Sequence, residues 1–318
     1  MRRFDLRMTL RLHRFEIVGF GVLIGLLSIA AVVVAGNLDA TGYGASCNAN
    51  GGLNPMACEA MGRAYYDIQT SQVAPVQSIL IILPFLLGAL VGAPLVAREL
   101  ERGTTRLAWS LAPSRFRWFV VRVVPAVLIV FGLAFAAGAA LDRLMAALEP
   151  GTDMANSFAG YGSRGVVLAA RATFVFAIGV AVGAVMGRML PALIMTVVIA
   201  YVGLAGGMNV HGRILATEAV FVDDQTGSGV PGALYIEQRI RMPDGRVVSW
   251  EELSVLVPPP EDGSEVVEWP PAGFTYVALV VPGERYRFVE LREVAALAGG
   301  SFVALGIGAL AVRRRRPG

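Results

Sequence analysis

The chain has 318 residues, 55% of them hydrophobic, and a formal net charge of +3 at pH 7. With a mean hydropathy of +0.62, this composition indicates a membrane protein, so the length alone does not decide the number of domains. So small a net charge argues against a nucleic-acid-binding protein, whose binding face is strongly basic.

Residues 1–16 carry five arginines interleaved with apolar residues. This pattern is typical of a basic amphipathic helix lying on an anionic membrane surface, and we predict an interfacial helix over 1–16. The alternative is a basic tail without that structure, which would satisfy the positive-inside rule equally well.

The first apolar run, residues 17–35, can cross a hydrocarbon core of about 30 Å at about 1.5 Å per residue. It lacks a clear small-residue cleavage site, so we predict a retained first span rather than a signal peptide. Gly21 and Gly25 lie four residues apart on this helix and predict a face for close helix packing.

The polar segment 36–75 contains the two cysteines of the chain, Cys47 and Cys58. We predict an extracytoplasmic loop, where an oxidising compartment would join the two cysteines in a disulfide that contributes roughly 3 kcal/mol of stability. Two free thiols are the alternative, whereas a metal site is disfavoured because the segment contains no histidine.

Two further apolar runs, residues 76–97 and 119–141, predict the second and third spans. Between them lies a charged loop, residues 98–117. Charged side chains recur in it at helical spacings of three and four, which predicts a short amphipathic helix that Gly103-Thr104 interrupts. The charged residues at these spacings are Arg98, Glu99, Glu101, Arg102 and Arg106.

Residues 166–186 and 190–206 predict the fourth and fifth spans, which are antiparallel neighbours because only three residues join them. The fourth span carries Arg171, and an intramembrane charge is a candidate for function. Arg171 lies only about five residues, or roughly 8 Å, inside the outer end, so we expect its guanidinium to extend to the membrane surface in a structural role. A helix-packing face is predicted on this span at Gly179, Gly183 and Gly187.

Residues 208–290 differ from the preceding chain in their charge, their clustered prolines and their β-like pattern. An Asp-Gly turn at 243–245 lies between the strand-like segments 233–242 and 246–250, which predicts a β-hairpin. The apolar run 274–281 is too short to span a membrane as a helix. We predict a small, acidic, folded insert.

The sixth span, residues 294–312, is followed by four consecutive arginines. If the N-terminus is cytoplasmic, the arginine-rich segments all fall on the cytoplasmic side, as the positive-inside rule requires. We therefore predict an all-α protein of a bacterial plasma membrane, with six spans, both termini cytoplasmic, and an extracytoplasmic β-containing insert between the fifth and sixth spans. The predicted divisions are a transmembrane domain at 1–207, the insert at 208–290, and the last span with its basic tail at 291–318.

The sequence lacks the residues, or the arrangement of residues, that several kinds of catalytic site require. A P-loop needs a lysine after its glycines, and the chain has no lysine. The two histidines, His13 and His211, fall on opposite faces of the predicted membrane, which argues against a metal pair or a histidine-based triad. Glu251 and Glu252 are interpreted as a solvated pair in a loop rather than as acid catalysts. We predict no catalytic residue, metal site or cofactor in this chain.

The charged loop carries a family resemblance. The string GAPLVARELERGTTRLAW at 92–109, followed by Ser-Arg at 114–115 and Arg-Trp at 117–118, resembles the loop between the second and third helices of ABC-2 type transporter permeases. In that family a Glu, a downstream Gly-Thr and a Ser/Thr-Arg before the third helix recur. The string GAVMGRMLP at 183–191 and the approach to the last helix at 285–290 are similar as well.

The resemblance implies the permease half of an exporter. Two six-span permeases, as a homodimer or a heterodimer, would form the translocation path, each docked to a cytoplasmic ABC ATPase that binds ATP and magnesium. The 98–117 loop and the 1–16 helix would form the surface that receives the movement of the ATPase. The residues implied at this surface are Arg98, Glu99, Glu101, Arg102, Gly103, Thr104, Arg106 and Arg115.

Two functions stay open at this point. The first is a permease coupled to ATP hydrolysis in a separate chain, exporting an amphipathic substrate. The second is a non-transporting membrane sensor or anchor whose outer insert binds a ligand. A co-purifying ATPase whose turnover falls when Glu99 is replaced by Arg would favour the first.

Overall fold

The structure is a computed structural model that describes residues 14–47, 55–105, 109, 114–223, 230, 232–256 and 273–315. The predicted interfacial helix at 1–16 therefore falls almost entirely outside the described residues. The helices are α1 (Arg14–Ala40), α2 (Tyr43–Ser46), α3 (Pro55–Ile68, Ala74–Leu87 and Ala93–Glu101), α4 (Arg115–Leu148), α5 (Gly165–Met186), α6 (Met189–Glu218), α7 (Trp250–Leu256) and α8 (Tyr286–Arg314). Six helices in the described part are long and apolar enough to cross a membrane, as the sequence predicts: all but α2 and α7.

Helix α3 is much longer than the predicted second span at 76–97. Its three α-helical pieces are joined without a break by π-helical turns at Gln69–Val73 and Gly88–Gly92. The prediction of a loop over 36–75 is therefore wrong for most of its described part. Polar side chains are tolerated in this helix because their hydroxyls find acceptors in its carbonyls, as Thr70 does with Tyr66 O at 2.9 Å.

Two compact units make up the chain. The membrane unit comprises Met1–Gly151, Gly160–Gly207 and Glu290–Gly318, and the insert unit comprises Thr152–Ala159 and Met208–Val289. The insert unit thus includes a stretch of the α4–α5 connection that the sequence analysis did not associate with it. A backbone hydrogen bond connects this stretch to the rest of the insert unit, since Phe158 N donates to Gly232 O at 2.9 Å.

Helix α5 lies at the centre of the membrane unit. In its most apolar window 67% of residues are buried, against 17% for α6 and 11% for α8, so α6 and α8 present most of their surface outward. Glycines allow α3 and α5 to approach closely. A Cβ at Gly88 would lie 2.3 Å from Val175 Cγ1, and a Cβ at Gly92 would lie 2.5 Å from Phe176 O. Larger residues at these positions would force the helices apart.

An antiparallel sheet forms the core of the insert unit. Its strands β1 (Val220–Asp223), β2 (Leu234–Arg241), β3 (Val247–Val248) and β4 (Thr275–Val281) lie in the order β1-β4-β2-β3. The predicted hairpin is present between β2 and β3. At its turn the Asp244 carboxylate accepts from Arg246 N at 2.9 Å and from Arg246 Nε at 2.6 Å. These hydrogen bonds lower the pKa of Asp244, the backbone bond contributing most.

One detail of the insert adds to the sequence predictions and another differs from them. The 274–281 run, for which no element was predicted, forms β4, which pairs with both β1 and β2 and is therefore an interior strand. Trp250 begins α7 instead of ending a strand, and Glu251 and Glu252 lie in the first turn of that helix rather than in a loop. Ser249 Oγ accepts from Glu252 N at 3.2 Å, and Glu252 Oε2 accepts from Ser249 N at 2.9 Å. Glu252 is thus part of a capping box.

Candidate functional site

The end of α3 changes from buried to exposed within two turns. Ala93 and Ala97 are fully buried, whereas the helix ends at the exposed Glu101. An exposed turn follows, called here the tip, which consists of Arg102, Gly103 and Thr104. Gly103 has a φ of 69°, a conformation that side chains disfavour, and its N–H closes the helix end on Leu100 O at 3.3 Å.

The charged residues before the tip do not form a separate short helix, contrary to the sequence prediction. Arg98, Glu99 and Glu101 occupy the last turn of α3, which is continuous with its membrane-spanning part. Arg102 N donates to Arg98 O at 3.2 Å, and Thr104 Oγ1 donates to Glu99 O at 3.3 Å. The tip is therefore bonded to the helix that carries it. Arg106 lies outside the described residues.

Glu99 faces α4 rather than projecting from the loop as an exposed interface residue. Its carboxylate forms an ion pair with Arg122, and the two side chains are only 20% and 16% exposed. The guanidinium of Arg122 also lies over the Trp118 ring, with Cζ 4.6 Å from the ring centroid. Removing either partner would leave a poorly solvated charge, so this pair fixes α3 against α4.

Arg115 begins α4 and connects it with the end of α8. Its Nη1 donates to Arg313 O at 3.4 Å and also to Arg315 O. Its Cζ lies 4.7 Å from the Trp109 ring centroid. The last carbonyls of a helix have no partner within the helix, and a cation is favoured at that end. Arg115 therefore satisfies α8 from a neighbouring helix.

The turn between α5 and α6 has contacts with both α3 and the end of α8. Glu101 Oε2 accepts from Met189 N, at the start of α6, at 2.9 Å. Arg315 Nη1 donates to Ala184 O, in the last turn of α5, at 3.0 Å. Gly187, one of the predicted packing glycines, ends α5 with a φ of 66°. The predicted loop residues thus contact helix ends as well as solvent.

The other predicted packing glycines have different surroundings. A Cβ at Gly179 would lie 2.8 Å from Ala93 N, and a Cβ at Gly183 would lie 2.5 Å from Ala93 O, so both glycines face α3. Around Gly21 and Gly25 the described residues place no atom within 4 Å of such a Cβ, apart from the backbone of the same helix.

At the opposite end of the helices the predicted disulfide is present. Cys47 and Cys58 are bonded, with their Cα atoms 5.7 Å apart, so the residue after α2 is tied to α3. The rings of Tyr43 and Tyr65 pack beside it with centroids 5.0 Å apart. Tyr65 OH donates to Leu148 O at 2.8 Å, which extends the connection to the end of α4.

Two ion pairs connect α4, α5 and α8 at this same end. The guanidinium of Arg171, which was expected to extend to the membrane surface, forms an ion pair with Glu293 at 2.8 Å, and the two side chains are 18% and 13% exposed. Tyr161 OH donates to the other carboxylate oxygen of Glu293. Arg164, which the sequence places in a polar loop, is 1% exposed and lies 3.5 Å from the Asp142 carboxylate.

Two of these charged partners, Arg122 and Glu293, were not predicted from the sequence as site residues. Arg122 lies inside the predicted third span at 119–141, so the rule that an intramembrane charge marks a site could have found it. Glu293 directly precedes the predicted sixth span at 294–312, and nothing local indicates that it pairs with Arg171, 122 residues earlier.

Among the residues that the structure describes, no group of three or more His, Cys, Asp or Glu side chains could hold a metal ion. The described site thus consists of helix ends, ion pairs and an exposed charged turn. Such an arrangement joins neighbouring helix ends through charged side chains.

Comparison with known proteins assigns the chain to a family. Neither the curated proteins nor the solved structures show a significant match to the chain. A family model described as ABC-2 membrane transporter related matches residues 19–210, which is more than half of the chain and includes α3, the tip and α5. The chain belongs to the ABC-2 membrane transporter related family.

Proposed function

We propose that this chain is the permease subunit of an ATP-driven exporter of the ABC-2 type. The family is one of membrane transporter components, and six apolar helices supply a multi-pass membrane unit. The chain has no lysine to complete a P-loop, which favours ATP and magnesium binding in a separate ATPase subunit. Two permeases, identical or different, would form the path, each with one ATPase.

The observation that carries the proposal is the construction of the α3 end. The tip is exposed and charged, yet it is bonded to a helix that the Glu99–Arg122 pair fixes against α4. Ala93 fixes the same helix against the glycines of α5. A force applied to the tip is therefore transmitted to the spanning part of α3 instead of being absorbed by a flexible loop. This is what a surface coupled to an ATPase requires.

Arginine distribution supports a cytoplasmic position for the tip. Many of the arginines near helix ends lie at the end of the bundle where α3 and α8 finish and α4 begins. They include Arg98, Arg102, Arg115, Arg117, Arg188, Arg313, Arg314 and Arg315. With this end in the cytoplasm, the positive-inside rule is satisfied and the disulfide lies in an oxidising compartment. The 208–290 insert is then extracytoplasmic.

The proposal is tested by charge reversal at the tip. The tagged full-length chain is purified from its native membrane in mild detergent, and the ATPase that accompanies it is quantified by its ATP hydrolysis. We expect Arg102→Glu to weaken the complex about tenfold, because an exposed interface cation is replaced by an anion. Arg63→Glu is the matched control, since Arg63 is exposed on the same helix at the opposite end.

Two outcomes would contradict the proposal. One is that no ATPase accompanies the chain, which would favour the sensor or anchor function. The other is that both reversals have the same effect on the complex. Glu99→Arg is a poor test of the interface, because it would place two guanidinium groups together at the Glu99–Arg122 contact and destabilise the fold itself.

A further inference from the structure

The α5–α6 connection concentrates unsatisfied backbone groups in a small space. Helix α5 ends at Met186 and α6 begins at Met189, so the last carbonyls of one helix lie next to the first N–H groups of the other. Gly187 N donates to Gly183 O at 2.9 Å, which satisfies one of these groups. Side chains from other helices form hydrogen bonds with two more of these backbone groups, Met189 N and Ala184 O.

Glu101 provides the first of these side chains. It is the last residue of α3, and its Oε2 accepts from Met189 N at 2.9 Å, although 88 residues separate the two in sequence. A carboxylate is the favoured group at a helix N-terminus, because it complements the positive end of the helix dipole. The residue directly before the tip therefore acts as a cap of α6.

Arg315 provides the second, at the α5 end of the turn. Its Nη1 donates to Ala184 O at 3.0 Å, so a cation lies at the C-terminal end of α5. A Cβ at Gly187 would lie only 2.3 Å from Arg315 Nη2, so a larger residue at position 187 would make this guanidinium shift. Arg115 in turn holds the carbonyl of Arg315.

Small apolar residues complete the contact beneath Glu101. Ala192, in the first turn of α6, is fully buried and packs with Ala93 and Ala97 of α3. The end of α3 and the start of α6 thus touch through alanines and are joined by a charge-assisted hydrogen bond. If one of these helix ends is displaced, the other is expected to move with it.

We propose that Glu101 and Arg315 are positioning residues that fix the α5–α6 turn from its two sides, so that movement of the tip is delivered to α6. The inference rests on the proposed function, in which the tip receives movement from an ATPase. Glu101 is then the connection between the driven helix and α6, whereas the tip itself makes the external contact.

The first test measures the hydrogen bond alone and needs no partner. Hydrogen exchange is followed in the detergent-solubilised full chain by mass spectrometry, on peptides that cover residues 188–192. Glu101→Ala is expected to speed exchange of the Met189 amide about tenfold, because a charge-assisted hydrogen bond is lost. Glu101→Gln retains a carbonyl acceptor and should restore part of the protection.

Glu59→Ala is the matched control for this measurement, because it removes an exposed glutamate from the other end of the same helix. It should leave the 188–192 peptides unchanged. Unaltered exchange in Glu101→Ala, or equal acceleration in Glu59→Ala, would overturn the inference.

The second test separates this inference from the proposed function. In the complex with the co-purified ATPase, a non-hydrolysable ATP analogue should change exchange both at the tip and at residues 188–192. In Glu101→Ala the change at the tip should persist and the change at 188–192 should be lost. If the tip itself does not respond to nucleotide, the proposed function fails. If both segments still respond in the variant, only the role of Glu101 fails.

Discussion

The two ends of the membrane unit are held together by different kinds of interaction. At the disulfide end, a covalent bond joins Cys47 to Cys58, and little-exposed charges pair across helices, as Arg171 does with Glu293. The loop end also has a little-exposed ion pair, Glu99–Arg122, but its α5–α6 turn is held by single hydrogen bonds to helix termini, such as that between Glu101 and Met189 N.

This difference indicates which part of the membrane unit can move at the lowest cost in free energy. A hydrogen bond to a charged group contributes about 1.5–3 kcal/mol, whereas breaking a buried ion pair costs about 3–5 kcal/mol. Local opening follows the weakest contacts, so the α5–α6 turn can rearrange while the Glu99–Arg122 pair and the disulfide end keep their structure. The comparison yields four predictions.

The largest effect is expected at the pair of Arg171 and Glu293. Arg171→Ala should lower the free energy of unfolding by roughly 3–5 kcal/mol, because Glu293 would be left charged, little exposed and without its guanidinium partner. Denaturant unfolding of the purified chain in detergent measures this. Arg63→Ala, which breaks an exposed pair at 3.9 Å with Glu59, should cost below about 1 kcal/mol. Similar losses in the two variants would show that burial does not strengthen the disulfide end.

A somewhat smaller loss is expected from the disulfide. The double replacement Cys47→Ser and Cys58→Ser should reduce stability by about 3 kcal/mol, since the bond closes a loop with a sequence separation of 11. Thermal unfolding with and without a reducing agent provides the control. The reductant should shift the native chain and leave the double variant unaffected. A reductant effect of equal size on both chains would point to another cause.

Close packing of α3 and α5 should tolerate little added volume. Gly183→Ala is expected to cost about 1–3 kcal/mol, because the new Cβ would lie 2.5 Å from Ala93 O and backbone cannot yield easily. Gly206→Ala is the matched control, since the described residues place no atom within 4 Å of its Cβ position, apart from the backbone of the same helix, and alanine favours a helix. Equal stabilities for the two variants would mean that the helices are less tightly packed than described.

The smallest effect is expected at the tip. Arg102→Ala should change the free energy of unfolding by less than about 0.5 kcal/mol, as exposed substitutions usually do. Glu99→Ala, only three residues earlier, should be clearly destabilising because it leaves Arg122 without its carboxylate. Unfolding curves of the two variants decide this. A large loss in Arg102→Ala would show that the tip is part of the core structure.

The spans could be predicted from sequence because long apolar runs have few alternatives, and the disulfide because two cysteines lie in one polar segment. The extent of α3 could not be predicted, because the polar residues around Thr70 resemble a loop in sequence although they lie in a continuous helix. Nor could the partners of Arg171 and Glu101, because a pairing across 122 or 88 residues depends on helix packing rather than on local pattern.

The unbroken course of α3 carries it well beyond the membrane. The helix Cys58–Glu101 has 44 residues and is about 66 Å long at 1.5 Å per residue, more than twice the hydrocarbon core of a bilayer of about 30 Å. Its apolar run at 76–97 accounts for about half of that length, and charged and polar side chains such as Asp67 and Thr70 lie outside this run. The apolar run therefore sets the match to bilayer thickness, because a thicker bilayer would have to bury these charged and polar groups.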